Sequence, residues 1–287
     1  MAINYNSVSE ISGLLKKYGL HMSKKFGQNF LLDERQRSAI IDTLDVKPGE
    51  RVWEIGPGIG ALTYGLLQLP VDVTVFEIDR GFISILKNEF CSYKNFNIVE
   101  GDFLKTWESS WAEAPPDRII GNLPYSVGSV IIAALVKSDI MCSRMVFTLQ
   151  KEVVERITAV SGSKAFSGFS LICQYKWRCT KKGMVPRNAF FPVPDVTSAY
   201  MTMDYVGKNE NVSRNLYDKF VNDIFLSRRK TIRNNIKNGI LKNIIPSEAI
   251  LEACVQNGVS PGARGEELTV DEVVKICGVL QERYSMR

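Results

Sequence analysis

Five short apolar runs limit what this chain can fold into more than any other feature of it. They are RVWEI (51–55), DVTVFEI (72–78), FNIVE (96–100), DRIIG (117–121) and SRMVFTLQ (143–150). Helical patterns lie between them, at ALTYGLLQL (61–69), GFISILKNEF (81–90) and residues 128–137. Strands separated by helices of about ten residues pair in parallel through right-handed crossovers, which predicts a doubly wound α/β sheet. A later run, VTSAYMTMDY (196–205), alternates and is expected as a further strand, one that can run antiparallel.

Outside this core, residues 8–19 and 33–45 have helical spacing, the second with Asp33 as N-cap and Ala39, Ile40, Ile41 and Leu44 as its apolar face. Near Gly207 the sequence turns polar (VGKNENVSRN) and then helical, with Leu216, Phe220, Ile224, Ile232 and Ile236 at helical intervals. TVDEVVKICGVL (269–280) is expected as the last helix, with Thr269 as cap and Glu272 at the capping-box position. The expected division is residues 1–206, a sheet domain with an N-terminal helical and basic arm, and residues 207–287, a small helical domain.

Several functions are disfavoured early. No apolar run approaches the roughly 18 residues of a membrane span, and the polar start MAINYNSVSE has no secretory h-region. Six scattered cysteines without a CxxC pair, and a single histidine, His21, argue against a metal site and a disulfide framework. That cysteine usage fits a reducing cytoplasm. The net charge of +5 says little, but its distribution says more. Ile224 to Ser247 holds no acid, yet carries Arg228, Arg229, Lys230, Arg233, Lys237 and Lys242; Lys16, Lys17, Lys24 and Lys25 form a second cluster. Such a run is commonly a solvated helix face; with no interleaved acids to pair with, phosphate binding is the favoured reading.

The first strand runs straight into Gly56, Gly58 and Gly60 (WEIGPGIGALT, 53–63), where glycines let the backbone turn tightly and approach a ligand. The spacing is GxGxG, not the GxGxxG of dinucleotide folds, and no Lys-Ser or Lys-Thr follows as in a P-loop. It favours S-adenosylmethionine (SAM), although a plain strand–helix turn also satisfies it. The second strand ends near Glu77, whose carboxylate can accept both ribose hydroxyl hydrogens, and the third at Asp102, which can accept from an adenine amino group with Phe103 against the ring. Taken singly, a strand-end acid is more often a cap or a solvated loop residue. Three consecutive strand ends so equipped are far less expected by accident.

The fourth strand ends in Asn122-Leu123-Pro124-Tyr125. An exocyclic amine of a base is a poor nucleophile because its lone pair is delocalised into the ring. Two acceptors for its N–H bonds aim that lone pair: Asn122 Oδ1 can be one, and a backbone carbonyl of the Leu123-Pro124 turn, stiffened by the proline, the other. Tyr125 can stack on the base. An Asx-type turn with an ordinary proline kink is the bland alternative.

In this order the motifs resemble those of the rRNA adenine N6-dimethyltransferases, and the resemblance runs over nearly the whole chain. It implies a mostly parallel seven-stranded sheet of the SAM-dependent methyltransferase (Rossmann-like) type, with a small C-terminal helical domain. Lys25-Phe26-Gly27-Gln28-Asn29-Phe30-Leu31 is similar to the family's N-terminal motif, which implies that Asn29 and Leu31 line the cofactor pocket. Gly56, Glu77, Asp102 and Asn122 fall on SAM-contacting positions, with Gly58 in the same turn. The run from Phe190 to Ser198 matches FxPxPxVxS, which implies that Phe190 flanks the target base opposite Tyr125. The run from Ser227 to Asn234 resembles the basic segment opening the family's C-terminal domain, and Arg264-Gly265-Glu266-Glu267-Leu268 its closing motif, with Gly265 at a usual alanine. Residues 161–168 and Arg187 depart from the pattern, in loops expected near the base-binding face.

The resemblance implies N6-dimethylation of two adjacent adenosines in a loop near the 3′ end of 16S rRNA. It also implies 16S rRNA or an assembling small subunit as partner, SAM as methyl donor, no metal, no membrane and a monomeric, cytoplasmic chain. Catalysis would fall to Asn122, Leu123, Pro124, Tyr125 and Phe190, and RNA contacts to Lys24, Lys25, Arg228, Arg229, Lys230 and Arg233. Large-subunit rRNA as substrate, or a non-catalytic nucleic-acid-binding factor on the same scaffold, are the competing readings.

Overall fold

In the computed structural model, residues 3–20, 29–138, 141–207 and 211–284 are described. The chain forms two compact units. The first comprises Met1–Leu135, Ile140–Val154 and Thr180–Tyr205, and the second Val136–Asp139, Glu155–Cys179 and Val206–Arg287.

The first unit begins with α1 (Val8–Lys17), β1 (Phe30–Leu31) and α2 (Glu34–Leu44). Asp33 caps α2, accepting the Gln36 N–H at 2.9 Å. There follow β2 (Arg51–Ile55), α3 (Ala61–Leu66), β3 (Asp72–Glu77), α4 (Arg80–Glu89), β4 (Phe96–Glu100), α5 (Phe103–Glu113), β5 (Arg118–Asn122), α6 (Gly128–Lys137) and β6 (Arg144–Gln150). After α7 (Lys151–Ile157) and α8 (Gly168–Gln174) come β7 (Trp177–Val185), β8 (Phe190–Phe191) and β9 (Ser198–Tyr205).

The main sheet has seven strands in the order β4-β3-β2-β5-β6-β9-β7. β2 through β6 pair in parallel, and β9 runs antiparallel to β6 with Gln150 opposite Ser198. From β2 the chain winds outward through β3 and β4, then returns to the other side of β2 for β5 and β6. The crevice outside the carboxyl ends of β2 and β5 is therefore the topological switch point, where ligands bind in such sheets. Helices cover the sheet with buried Ile40, Leu44, Leu66, Ile85 and Leu86, each contributing about 1.5–3 kcal/mol by leaving water.

Two expected boundaries shift for local reasons. The helix from Ala61 stops at Leu66, with Gly65 in its last turn and Pro70 beyond. The next helix starts at Arg80, one residue early, because Asp79 Oδ1 accepts the Gly81 and Phe82 N–H groups at 2.8 and 3.3 Å. The short β1–β8 sheet, α5 and β7 carried no usable signal. β1 and β8 have two residues each, α5 buries only Phe103, and β7 carries exposed Arg178, Lys181 and Lys182.

In the second unit α9 (Arg214–Ile224), α10 (Ile232–Ile236), α11 (Ser247–Gln256) and α12 (Val270–Tyr284) pack with α8. Tyr217 Oη donates to the Leu171 carbonyl at 3.0 Å and Arg214 Nη2 to that of Ile172 at 3.1 Å. The capping box of α12 forms as expected: Thr269 N–H donates to Glu272 Oε2 at 2.7 Å, and Glu272 N–H to Thr269 Oγ1 at 3.2 Å.

Candidate active site

A cavity of about 490 Å³ opens at the switch point, entirely within the first unit. Its lining includes Asn29, Leu31, Gly56, Gly58, Glu77, Asp102, Asn122, Leu123, Pro124 and Tyr125, so every residue assigned to cofactor or catalysis except Phe190 is brought together there.

The glycine turn is shaped by close packing. Gly60 has φ +86° and caps α3; a Cβ there would sit 2.5 Å from the Phe90 ring. Gly58 has φ +57°, and its N–H donates to Glu77 Oε2 at 3.1 Å. Glu77 Oε1 accepts the Ile78 and Asp79 N–H groups, both at 2.8 Å. The strand-end carboxylate thus ties the turn after β2 to the end of β3. Burial pushes the Glu77 carboxyl up to about 7, with the three backbone N–H groups and Asp79 as smaller influences.

Four carboxyl groups, from Glu54, Glu77, Asp79 and Asp102, line the cavity, and among its described lining residues there is no lysine, arginine or histidine. A described lining with no cationic side chain offers a phosphate no partner, and it suits a ligand with positive charge such as a sulfonium donor, even with burial raising the Glu54 and Glu77 carboxyls. Asp102 is the helix cap that the sequence allowed. Its Oδ1 caps α5 through the Leu104 N–H at 3.0 Å, and no described residue donates to its other oxygen. Phe103 meets the Phe76 ring edge-on at 5.0 Å.

Glu54 and Asp79 entered no sequence-level site assignment. Glu54 is 1% exposed, and its Oε2 accepts the Thr63 hydroxyl at 2.6 Å. Burial, with Glu77 nearby, pushes it up to about 8. The available signal was an acid interrupting an otherwise apolar strand.

At the end of β5, Asn122 Nδ2 donates to the Asn29 carbonyl at 2.9 Å. That bond orients the amide, and no described residue donates to its Oδ1. The Pro124 carbonyl already accepts from Val127 and Gly128, at 3.2 and 2.9 Å. Of the two carbonyls in the turn, only that of Leu123 is left with no described donor. Tyr125 is half-buried, and its Oη lies 2.5 Å from Ser198 Oγ.

Phe190 is placed differently from expectation. It pairs with Leu31 in the β1–β8 ladder, is 3% exposed and belongs to the hydrophobic core. The ring assigned opposite Tyr125 is directed into the protein, because the ladder turns its side chain inward.

The basic segment also differs in part. Arg228 Nε donates to Glu266 Oε2 at 2.6 Å and its guanidinium reaches the Lys164 carbonyl. The chain does supply an acid partner, from 38 residues away. Arg229, Lys230 and Arg233 remain exposed, with no carboxylate of a described residue in ion-pair range. Buried Asn235 shapes this segment, donating to the Ile224 and Ser227 carbonyls at 2.8 and 3.0 Å and accepting the Ser227 N–H at 3.1 Å. Lys24, Lys25 and His21 lie outside the described residues.

Against this geometry the comparisons with known proteins are specific. The family profile described as "Ribosomal RNA adenine dimethylase" matches residues 19–282. The chain belongs to the ribosomal RNA adenine dimethylase family. It is 39% identical over 285 residues to "Ribosomal RNA small subunit methyltransferase A" of Treponema denticola, covering 96% of each chain. The protein of that name from Borreliella burgdorferi is 36% identical, over 98% of this chain and 96% of its own. Among solved structures, a dimethyladenosine transferase from Plasmodium falciparum superposes with a TM-score of 0.74 at 24% identity, over 88% of this chain and 98% of that one. The 23S rRNA methyltransferase ErmE gives 0.64 at 22%, with the same coverages. These two likenesses establish the shared fold.

The departures from the dimethylase pattern now have structural settings. Gly265 replaces a usual alanine where a Cβ would stand 2.7 Å from the Ile224 carbonyl oxygen. Arg187 Nε donates to the Pro194 carbonyl at 2.6 Å, bridging to the FxPxPxVxS loop. Residues 161–168 belong to the second unit. There Gly162 N–H donates to the Glu266 carbonyl at 2.7 Å and the Lys164 carbonyl accepts from Arg228.

Proposed function

We propose that the protein dimethylates N6 of two adjacent adenosines in a loop near the 3′ end of 16S rRNA, with SAM as donor, during assembly of the small subunit in the cytoplasm. The observation that carries the reading is Asn122, held by Asn29 at the switch point with no described residue donating to its Oδ1, beside a cavity lined by acidic side chains. The small-subunit preference follows the names of the bacterial relatives.

The chain's contribution is mainly orientation. When bound, SAM supplies an electrophilic methyl carbon, whose bond to sulfur breaks as nitrogen attacks and leaves a neutral thioether. Glu77 and Asp102 hold the ribose and adenine of the donor, and the glycine turn makes room for its methionine portion. Asn122 Oδ1 and the Leu123 carbonyl accept the two N6–H hydrogens, so that the nitrogen lone pair points along the transfer axis. Tyr125 stacks on the extruded base. The alkylated nitrogen is cationic and loses its proton without a strong base, which suits a lining whose described residues include no histidine or lysine. For the second methylation one N–H remains, and either acceptor suffices to aim the lone pair. Arg229, Lys230 and Arg233 bind RNA phosphates, which position the substrate without specifying its sequence.

The deciding experiment incubates the protein with labelled SAM and undermethylated small subunits, then maps the modified bases. Dimethyladenosine at two adjacent 16S positions is expected. Label in large-subunit RNA alone, or in no RNA, refutes the reading.

A further inference from the structure

We propose that Ser198 is a positioning residue for methyl transfer: its hydroxyl pins Tyr125 where the ring can stack on the target adenine. This rests on the reading above that Tyr125 stacks. Ser198 Oγ lies 2.5 Å from Tyr125 Oη, across 73 residues of sequence. The contact joins the NLPY motif to the last residue of FxPxPxVxS, and so gives that serine a task beside the reacting base.

Ser198 is a rigid anchor. It is 0% exposed, opens β9 and sits opposite Gln150 in the antiparallel ladder. The preceding Thr197 carbonyl accepts the Lys151 N–H at 2.9 Å. Tyr125, by contrast, lies in the turn after β5 and is only half-buried, so packing alone constrains it less. No other described residue bonds to either hydroxyl. Each satisfies the other, and breaking the pair strands a buried hydroxyl on β9.

The geometry decides what the bond can control. Rotation of the ring about its own long axis leaves Oη in place, so the bond does not set ring tilt. It does set χ1, the direction in which the ring leaves the backbone, by denying the other staggered wells. Losing it lets the ring leave the stacking position while the cofactor cavity stays formed. Burial pushes the Tyr125 phenol above its ordinary range, so its proton stays available for the shared bond at neutral pH.

The test is a double-mutant cycle on Ser198→Ala and Tyr125→Phe, with Tyr125→Ala as reference. Full-length proteins are assayed on undermethylated small subunits, with SAM affinity measured by calorimetry. Tyr125→Phe keeps ring and volume, so it carries the test even where Ser198→Ala lowers stability. Each single variant is expected to lose about tenfold in kcat, the equivalent of one buried hydrogen bond, with SAM affinity unchanged. The double variant is expected to lose no more than either single one. A short RNA with 2-aminopurine at the target position should show weaker stacking quench with both. Wild-type kcat in Tyr125→Phe, or losses that multiply in the double variant, overturn the assignment. Wild-type transfer by Tyr125→Ala instead refutes the stacking reading beneath it.

Discussion

Replacing Glu54 by glutamine should stabilise the protein increasingly, relative to wild type, as pH rises, because it removes an ionisable group from the cavity. Glu54 is held near neutral by burial, its carboxyl raised from the ordinary 4.5 to about 8, while Thr63 donates to it at 2.6 Å. In the unfolded chain it titrates at the ordinary value. Between those two pH values the folded state binds more protons than the unfolded one, so stability falls as pH rises. The contribution is fully present below about pH 4.5 and lost above about pH 8. At about 1.4 kcal/mol for each pH unit, the loss across that window is on the order of 5 kcal/mol as an upper figure. Glutamine keeps an acceptor for Thr63 and never ionises. The two proteins should therefore be similar near pH 4.5 and diverge steadily toward pH 8, with Glu54→Gln the more stable. Urea unfolding without SAM measures this, followed by fluorescence of Trp53, which is buried and packed on Phe76 at 4.7 Å. Glu77, raised to about 7, leaves a smaller residual slope in the variant. Stability curves that run parallel from pH 5 to 8 would refute the argument, because they would mean that Glu54 is ionised in the fold throughout.

Glu77 itself should make SAM affinity pH-dependent: below about pH 7 its protonated form loses acceptor capacity, so calorimetry should show weaker binding at pH 6 than at pH 8, and Glu77→Gln should bind weakly with no such difference. Asn122→Ala should lower kcat by about 10²–10³, with RNA binding retained in filter-binding assays; equal loss of RNA binding and turnover would argue for a structural role. Arg229→Ala and Lys230→Ala should each flatten the salt dependence of RNA binding by roughly one phosphate contact, while Arg228→Ala, whose charge already pairs with Glu266, should change it less and lower the melting temperature. Gly265→Ala should destabilise by about 1–3 kcal/mol in urea titrations, because its Cβ meets the Ile224 carbonyl oxygen at 2.7 Å.

What the sequence settled by itself was local. Short apolar runs at 51–55, 72–77 and 118–122, and the helices between them, dictate a parallel sheet, and the polar residues at the strand ends follow from chain connectivity. Gly56, Glu77, Asp102 and Asn122 converge because a right-handed crossover puts every parallel strand's carboxyl end on one edge. The α12 capping box was legible for the same reason, since its partners are three residues apart.

Tertiary structure decided whatever depends on partners far along the chain. That Arg228 is paired and Arg229 is not turns on Glu266, whose approach no charge pattern within 224–247 encodes. Phe190 faces inward because β8 pairs with β1, and two-residue strands carry too little periodicity to announce a register. That residues 155–179 pack with the C-terminal helices rests on contacts such as Tyr217 to Leu171, 46 residues apart. Ser198 meets Tyr125, and Glu54 is driven neutral, only once the sheet has closed around them. Burial and long-range hydrogen bonding are properties of the assembled volume; a sequence specifies them only through the fold it adopts.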